Sequence, residues 1–213
     1  MSGESGLRER KRQRMYRTIS EAAIALFLEH GFDRVSVADV AAAAEVSKPT
    51  LFRYFPAKED LALHRLADHE AEAGRVVAGR APGRSPLDAL HRHLVAGLDR
   101  RDPVTGLNDE PDVLAFHRLL YGTPSLVARL FAYTGRSEEA LARALAASGG
   151  PTGPDDLVAR LAAAQVVATQ RVLALENWRR IAAGAAADDV HPDAVAAADR
   201  AFAMLRAGLA PYA

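Results

Sequence analysis

The chain has 213 residues, of which 49% are hydrophobic, and its 27 basic side chains balance its 27 acidic ones. This length and apolar content suit one medium domain, or a small domain followed by a larger one, and they exclude a disordered chain. The absence of Cys excludes a disulfide framework, thiol catalysis and thiolate metal sites. No apolar run reaches about 18 residues and no apolar core of a secretory signal follows the basic start, so we expect a cytoplasmic protein without a membrane span.

The balanced total charge hides a basic segment near the start of the chain. Residues 8–17 contain six Arg or Lys side chains and one acid, Glu9. Such a segment is typical of an arm that contacts phosphates, and equally typical of a solvated helix face. Charge alone leaves both interpretations open.

Three helices are predicted in the first 57 residues. Apolar residues recur every three or four positions up to Phe27 and Gly31 is typical of a helix end, which places the first helix over about 8–30. Ser36, followed by Asp39, predicts a capping box at the start of a short second helix. Ser47 as N-cap and Pro56 as a stop predict a brief third helix, with Pro49 tolerated in its first turn.

The rest of the chain also follows helical patterns. One long helix is expected from about residue 58 to 78, and residues 79–84, with two Gly and one Pro, form the best linker. Start signals with Pro at the first helical position predict helices over about 86–100, 110–121, 124–147, 154–183 and 192–209. The expected fold is all-α with nine helices, divided into a head (1–57), a connecting helix (58–78) and a body (79–213).

The pattern over residues 36–55 indicates a helix-turn-helix. Leu51 and Phe55 are four residues apart and are expected to point inward. The positions left on outward or flanking surfaces are Lys48, Pro49, Thr50, Phe52, Arg53 and Tyr54. Lys and Arg can donate to guanine, whereas Thr, Tyr and aromatic edges can contact phosphates or thymine methyl groups. This helix is therefore predicted to read the major groove of DNA.

These elements resemble the tetracycline-repressor (TetR) family. The resemblance covers about residues 14–61 and lies in Ala-Ala-x-x-Leu-Phe at 22–27, Gly-Phe at 31–32, Ser-Val-x-x-Val-Ala at 36–41, Val-Ser-Lys-Pro-Thr-Leu-Phe-Arg-Tyr-Phe at 46–55 and Lys-Glu-Asp-Leu at 58–61. It implies an all-helical homodimer with a three-helix DNA-binding head and a ligand-binding body. Family members are usually repressors that a small molecule releases from a palindromic operator.

The resemblance also implies roles for single residues. The base edges would be approached by Lys48, Pro49, Phe52 and Arg53, the phosphates by Ser36, Thr50, Tyr54 and Lys58, and an adjacent groove or backbone by Arg10, Lys11 and Arg14. A packed aromatic remains an alternative for Tyr54, and a solvated arm for the last three. Glu45 stands where the family usually has Gly, and a positive φ there would cost on the order of 1 kcal/mol.

The body shows no family-wide site pattern. The candidates for effector contacts are the polar and aromatic side chains that stand out among apolar helices: His117, Tyr121, Phe131, Tyr133, Gln165, Thr169, Gln170, Asn177 and Trp178. Gln165 and Thr169 share a helix face and could line a small-molecule cleft, although such residues are more often satisfied core or interface polars. A looser similarity points to an actinobacterial branch with members thought to sense acyl-CoA thioesters.

Two function classes stay open. The first is a ligand-released repressor with a small hydrophobic effector; the second is an effector-independent dimeric module whose body only dimerises or binds a protein partner. No catalytic, metal or cofactor site is expected, because the His pairs lack metal-binding spacing and no phosphate loop or nucleophile elbow appears. Dimerisation is expected through residues 154–183 and 192–209, where small side chains such as Ala159, Ala162, Ala163, Ala197 and Ala201 permit close helix packing.

Overall fold

The computed structural model describes residues 2–67, 69–148 and 157–213, and every regular element in these ranges is helical. The helices are α1 (Ser2–His30), α2 (Val37–Ala43), α3 (Lys48–Tyr54), α4 (Lys58–Ala67), α5 (Glu72–Ala78), α6 (Pro86–Asp99), α7 (Pro111–Gly122), α8 (Pro124–Ala147), α9 (Leu157–Ala182) and α10 (Ala187–Gly208). Short 3₁₀ turns lie at Pro103–Thr105 and Ala210–Tyr212. The predicted all-α class is confirmed.

The single helix predicted over residues 58–78 is wrong, because a turn separates α4 from α5. His69 Nδ1 donates to Glu72 at 2.6 Å, and His93 Nε2 of α6 donates to the other oxygen of the same carboxylate at 3.1 Å. Arg136 of α8 donates twice to Glu70, at 3.0 and 2.7 Å. Partners that are distant in the sequence stabilise this turn, and neither Gly nor Pro marks it within residues 67–71.

The last predicted helix also begins earlier than expected, at Ala187 rather than at Pro192. The Ala187 amide donates to the carboxylate of Asp109 at 2.9 Å, so a residue 78 positions away caps the helix. Pro192 lies inside α10 as a result. The helix predicted over 154–183 is observed as Leu157–Ala182, and residues 154–156 lie outside the described residues.

The chain divides into two compact units. The head unit comprises residues 1–67 and 115–131, and the body unit comprises residues 68–114 and 132–213. In the head unit, Phe27, Leu51, Phe55 and Leu61 are buried. Ser20 of α1 donates to the Leu61 carbonyl oxygen of α4 at 2.7 Å, which joins the first helix to the fourth.

In the body unit, α9 has a buried small-residue side and an exposed apolar side. Ala159, Ala162 and Ala163 pack into the core of the body unit, which includes Phe202 of α10. These three alanines are therefore not available for the dimer contact that was expected of them. The exposed side is formed by Leu157, Val158, Leu161 and Val172. Among the described residues, α9 is the one helix that is long and apolar enough to cross a membrane, by length and composition only.

Candidate nucleic-acid interface

Two capped seven-residue helices build the candidate interface. Ser36 accepts a hydrogen bond from the Asp39 amide at 3.2 Å, and its own amide donates to the Asp39 carboxylate at 2.8 Å. Hydrogen bonds from the side chain and backbone of Ser36 lower the pKa of the Asp39 carboxyl below its usual value. The capping box therefore forms as predicted, and it occupies the Ser36 hydroxyl oxygen that was expected to face phosphate.

Helix α3 presents its side chains as the sequence pattern predicts. Leu51 is fully buried and Phe55 is 2% exposed, whereas Phe52 is 50% exposed. Lys48, Pro49 and Arg53 are also exposed. All four residues expected at base edges thus lie on the exposed side of one helix.

The remaining phosphate candidates of α3 are held in place by neighbours. The Thr50 hydroxyl lies 2.8 Å from the Ser47 hydroxyl, which also accepts the Thr50 amide at 3.2 Å as the cap of α3. Tyr54 is half-buried, with its ring edge-to-face against Tyr16 of α1 at 4.8 Å between centroids. The packed interpretation of Tyr54 therefore describes its ring, while its hydroxyl contact with phosphate stays a prediction.

The turn between α2 and α3 has a left-handed residue. Glu45 adopts φ +54°, the conformation for which Gly is favoured, and the Val46 amide closes the turn on the Ala41 carbonyl at 2.9 Å. The strain foreseen from the sequence is therefore present. Ala41 and Ala44, which precede Glu45, are both buried.

Lys58 contacts Phe32 in the structure. Its ammonium group donates to the Phe32 carbonyl oxygen and lies 4.3 Å from the centroid of the Phe32 ring. Both contacts hold the start of α4 against the turn that follows α1. A phosphate would have to compete with them, so the phosphate role of Lys58 stays a prediction.

The basic arm is part of a helix. α1 extends back to Ser2, and Arg10, Lys11 and Arg14 are exposed along it. Arg10 Nε donates to the Gly6 carbonyl oxygen at 3.2 Å. The arm is thus an exposed cationic helix face, and its contact with DNA stays a prediction.

The nine effector candidates do not lie in one unit. His117, Tyr121 and Phe131 belong to the head unit, and the other six belong to the body unit. Gln165 is exposed and donates to the Leu161 carbonyl at 3.3 Å, which places it on the exposed apolar side of α9 together with the half-buried Thr169.

Several other candidates have structural contacts. Asn177 is buried and donates to the Thr105 carbonyl at 2.9 Å. Beside it, Gly106 has φ +72°, and a Cβ there would lie 2.0 Å from the Ala174 carbonyl oxygen. The Tyr133 ring is buried under the Arg136 guanidinium, 4.1 Å from its centroid. Gln170 and Trp178 are half-buried and Phe131 is exposed.

Sequence reasoning missed two contacts between helices in the head unit. Arg129 of α8 donates two hydrogen bonds to the buried Asp60 of α4, at 2.8 and 2.9 Å. Arg65 of α4 lies over the Phe116 ring of α7 at 5.4 Å. No local sequence signal announces these pairs, because their partners are more than 50 residues apart. Within the described ranges, no group of three or more His, Asp or Glu side chains could hold a metal ion.

Comparisons with known proteins match the segment that contains α2 and α3. The family of bacterial regulatory proteins described as the tetR family matches residues 19–64. The transcriptional regulator TcmR of Streptomyces glaucescens is 33% identical over 176 residues, which cover 82% of this chain and 78% of TcmR. The transcriptional repressor LfrR of Mycolicibacterium smegmatis is 38% identical over 114 residues, 53% of this chain and 57% of LfrR.

A solved structure extends the similarity to the fold. A TetR-family regulator from Streptomyces coelicolor A3 superposes with a TM-score of 0.54 and 25% identity, covering 90% of this chain and 96% of that one. This chain therefore shares its sequence with TcmR over 82% of its length and its fold with the Streptomyces coelicolor regulator over 90% of its length.

Proposed function

Because the chain belongs to the TetR family of bacterial regulatory proteins, it is a DNA-binding transcriptional regulator, and we propose that it represses transcription from a near-palindromic operator until a small molecule releases it. One observation carries the DNA-binding part: Leu51 of α3 and its C-cap Phe55 are buried, whereas Lys48, Phe52 and Arg53 of α3 are in solvent. A solvent-facing helix with two cations and an aromatic ring suits a DNA groove. Repression is supported by relatives that are named repressors, such as LfrR.

The operator should be read by two heads. We assign Lys48 and Arg53 to guanine edges and Phe52 to a thymine methyl group in the major groove. The exposed Arg10, Lys11 and Arg14 serve as phosphate contacts that fix the orientation without reading sequence. A twofold dimer then places its half-sites about one helical turn apart, or a multiple of it.

The dimer is proposed to form through α9 and α10. Leu157, Leu161 and Val172 are 61%, 53% and 57% exposed, and Met204 of α10 is 76% exposed. Exposed apolar side chains in a row on one helix mark an interaction surface. A symmetric four-helix interface would bury this row, and it accounts for the apolar composition of α9 without a membrane, consistent with a cytoplasmic regulator.

The experiment is selection of binding sites from random duplex DNA with the full chain, followed by titration of the selected site and a scrambled one. Arg53→Ala is expected to lose about 1 to 3 kcal/mol of discrimination at one base pair. Arg10→Ala should weaken both DNAs alike and reduce the salt slope by about one unit. Arg84→Ala, an exposed cation of the body unit, is the control and should change neither.

The outcomes separate the proposal from its alternatives. Equal losses on the selected and scrambled DNA for Arg53→Ala would remove α3 from base reading. If the protein binds one palindrome but no molecule of a broad metabolite panel releases it, the effector-independent module is the better description. Release by a panel member supports the ligand-controlled repressor.

A further inference from the structure

His117 of α7 is a buried polar residue with an unused ring nitrogen. It is 6% exposed, and its Nδ1 atom has no hydrogen-bond partner in the described chain. An unpaired buried polar atom destabilises a folded protein, so such an atom calls for a partner. In the same unit, by contrast, the buried carboxylate of Asp60 accepts hydrogen bonds from the Ala57 amide and from Arg129.

The surroundings of His117 combine a cation with aromatic rings. The Arg65 guanidinium lies 5.4 Å from the Phe116 ring centroid, and the Tyr121 ring lies 6.0 Å from the His117 ring. Burial, and secondarily the charge of Arg65, lower the pKa of His117, so its imidazole is neutral near pH 7. All four residues belong to the head unit.

These groups specify a class of partner. A neutral imidazole can donate from Nδ1 in one tautomer, and an oxygen anion accepts such a bond most strongly. The positive charge of Arg65 favours the same anion, and the Phe116 and Tyr121 rings favour a flat apolar body. We propose that His117 and Arg65 bind the acidic group of an aromatic weak acid, a carboxylate or an ionised phenol, whose ring lies against Phe116 and Tyr121.

This site would act on the DNA-binding head directly, and the inference rests on the proposed ligand-controlled function. Arg65 is on α4, whose Leu61 carbonyl is hydrogen-bonded by Ser20 of α1. A ligand that draws Arg65 toward His117 therefore acts on a helix already joined to the reading head. It shifts DNA affinity to the extent that it prefers the released arrangement.

The test is calorimetric titration of the full chain with 2-naphthoate, its neutral analogue 2-naphthamide, and decanoate. We expect 2-naphthoate to bind about tenfold or more tightly than 2-naphthamide, the factor expected for one charge-assisted hydrogen bond. Decanoate, which has the charge without the ring, should be weaker than 2-naphthoate. His117→Leu and Arg65→Gln should each lose about tenfold in 2-naphthoate affinity, whereas Arg118→Gln, which removes an exposed cation one residue from His117, should not.

A folding control accompanies the variants. His117→Leu removes the unpaired nitrogen, so its thermal midpoint should equal or exceed that of the unsubstituted protein, which separates loss of a site from loss of structure. Binding of 2-naphthamide or decanoate as strong as that of 2-naphthoate, or full affinity in His117→Leu, would overturn the inference. So would no binding of 2-naphthoate. Operator binding without any ligand is measured in parallel. If the protein binds its operator but does not bind 2-naphthoate, only this inference is wrong. If no operator is selected from random DNA, the proposed function is wrong.

Discussion

The ion pair between Arg129 and Asp60 gives the sharpest stability prediction. Asp60 accepts two hydrogen bonds from Arg129, at 2.8 and 2.9 Å, and one from the Ala57 amide at 3.2 Å. Its side chain is 10% exposed, whereas that of Arg129 is 39% exposed. Arg129→Gln leaves a buried carboxylate without its cation. Two lost charged hydrogen bonds, discounted because Arg129 is partly in solvent, predict a loss of about 2 to 3 kcal/mol in the free energy of unfolding.

Arg136→Gln is a matched control seven residues further along the same helix. It breaks a similar twofold contact, with Glu70, but here the arginine side chain is 45% exposed and the carboxylate 23%. A loss of about 1 kcal/mol is expected, partly from the cation–π contact with Tyr133. Urea unfolding at one fixed protomer concentration measures both variants. Equal losses for the two, or a loss under about 0.5 kcal/mol for Arg129→Gln, would refute the argument from burial.

Three further predictions concern separate parts of the chain. Glu45→Gly should stabilise the protein by about 0.5 to 1 kcal/mol by relieving the positive φ, whereas Ala42→Gly in the neighbouring helix should cost about 1 kcal/mol in thermal unfolding. Hydrogen bonds from His69 and His93 lower the pKa of Glu72 in the folded state. The ionised Glu72 carboxylate therefore adds to the free energy of unfolding in full above its ordinary pKa of 4.5, and this stabilisation is lost as the pH falls below that value. Urea unfolding across pH should therefore show a steeper acid loss for the unsubstituted protein than for Glu72→Gln, and parallel curves would count against the pairing. Leu161→Glu should turn the dimer into a monomer in sedimentation while Ala147→Glu, exposed on α8, leaves the mass unchanged; a dimeric Leu161→Glu would move the interface elsewhere.

The features that sequence reasoning predicted are those with local causes. Ser36 and Ser47 each cap a helix where the pattern placed them, and Phe55 leaves the helical conformation just before Pro56. The open face of α3 follows from the four-residue spacing of Leu51 and Phe55. Local spacing is sufficient in these places because the partner of each group is within four residues.

The features it missed depend on partners that are far away in the sequence. The turn after α4 depends on His93 and Arg136, and the start of α10 depends on Asp109. Gln165 and Thr169 share a face as predicted, but spacing could not tell whether that face points into a cleft or into solvent. The orphan nitrogen of His117 is likewise visible only once its neighbours are in place.

The small size of α2 and α3 has a consequence for how DNA specificity can change. Each helix has seven residues, about 10 Å of length, which is below the length at which an isolated helix is stable in water. Both therefore exist only as parts of the folded head, and the reading surface appears or vanishes as a whole. The buried side chains that stabilise this surface, such as Leu51, are different from the side chains that face outward, such as Phe52 and Arg53. New operator preferences can therefore evolve by exchanging the outward residues alone, without loss of the scaffold that presents them.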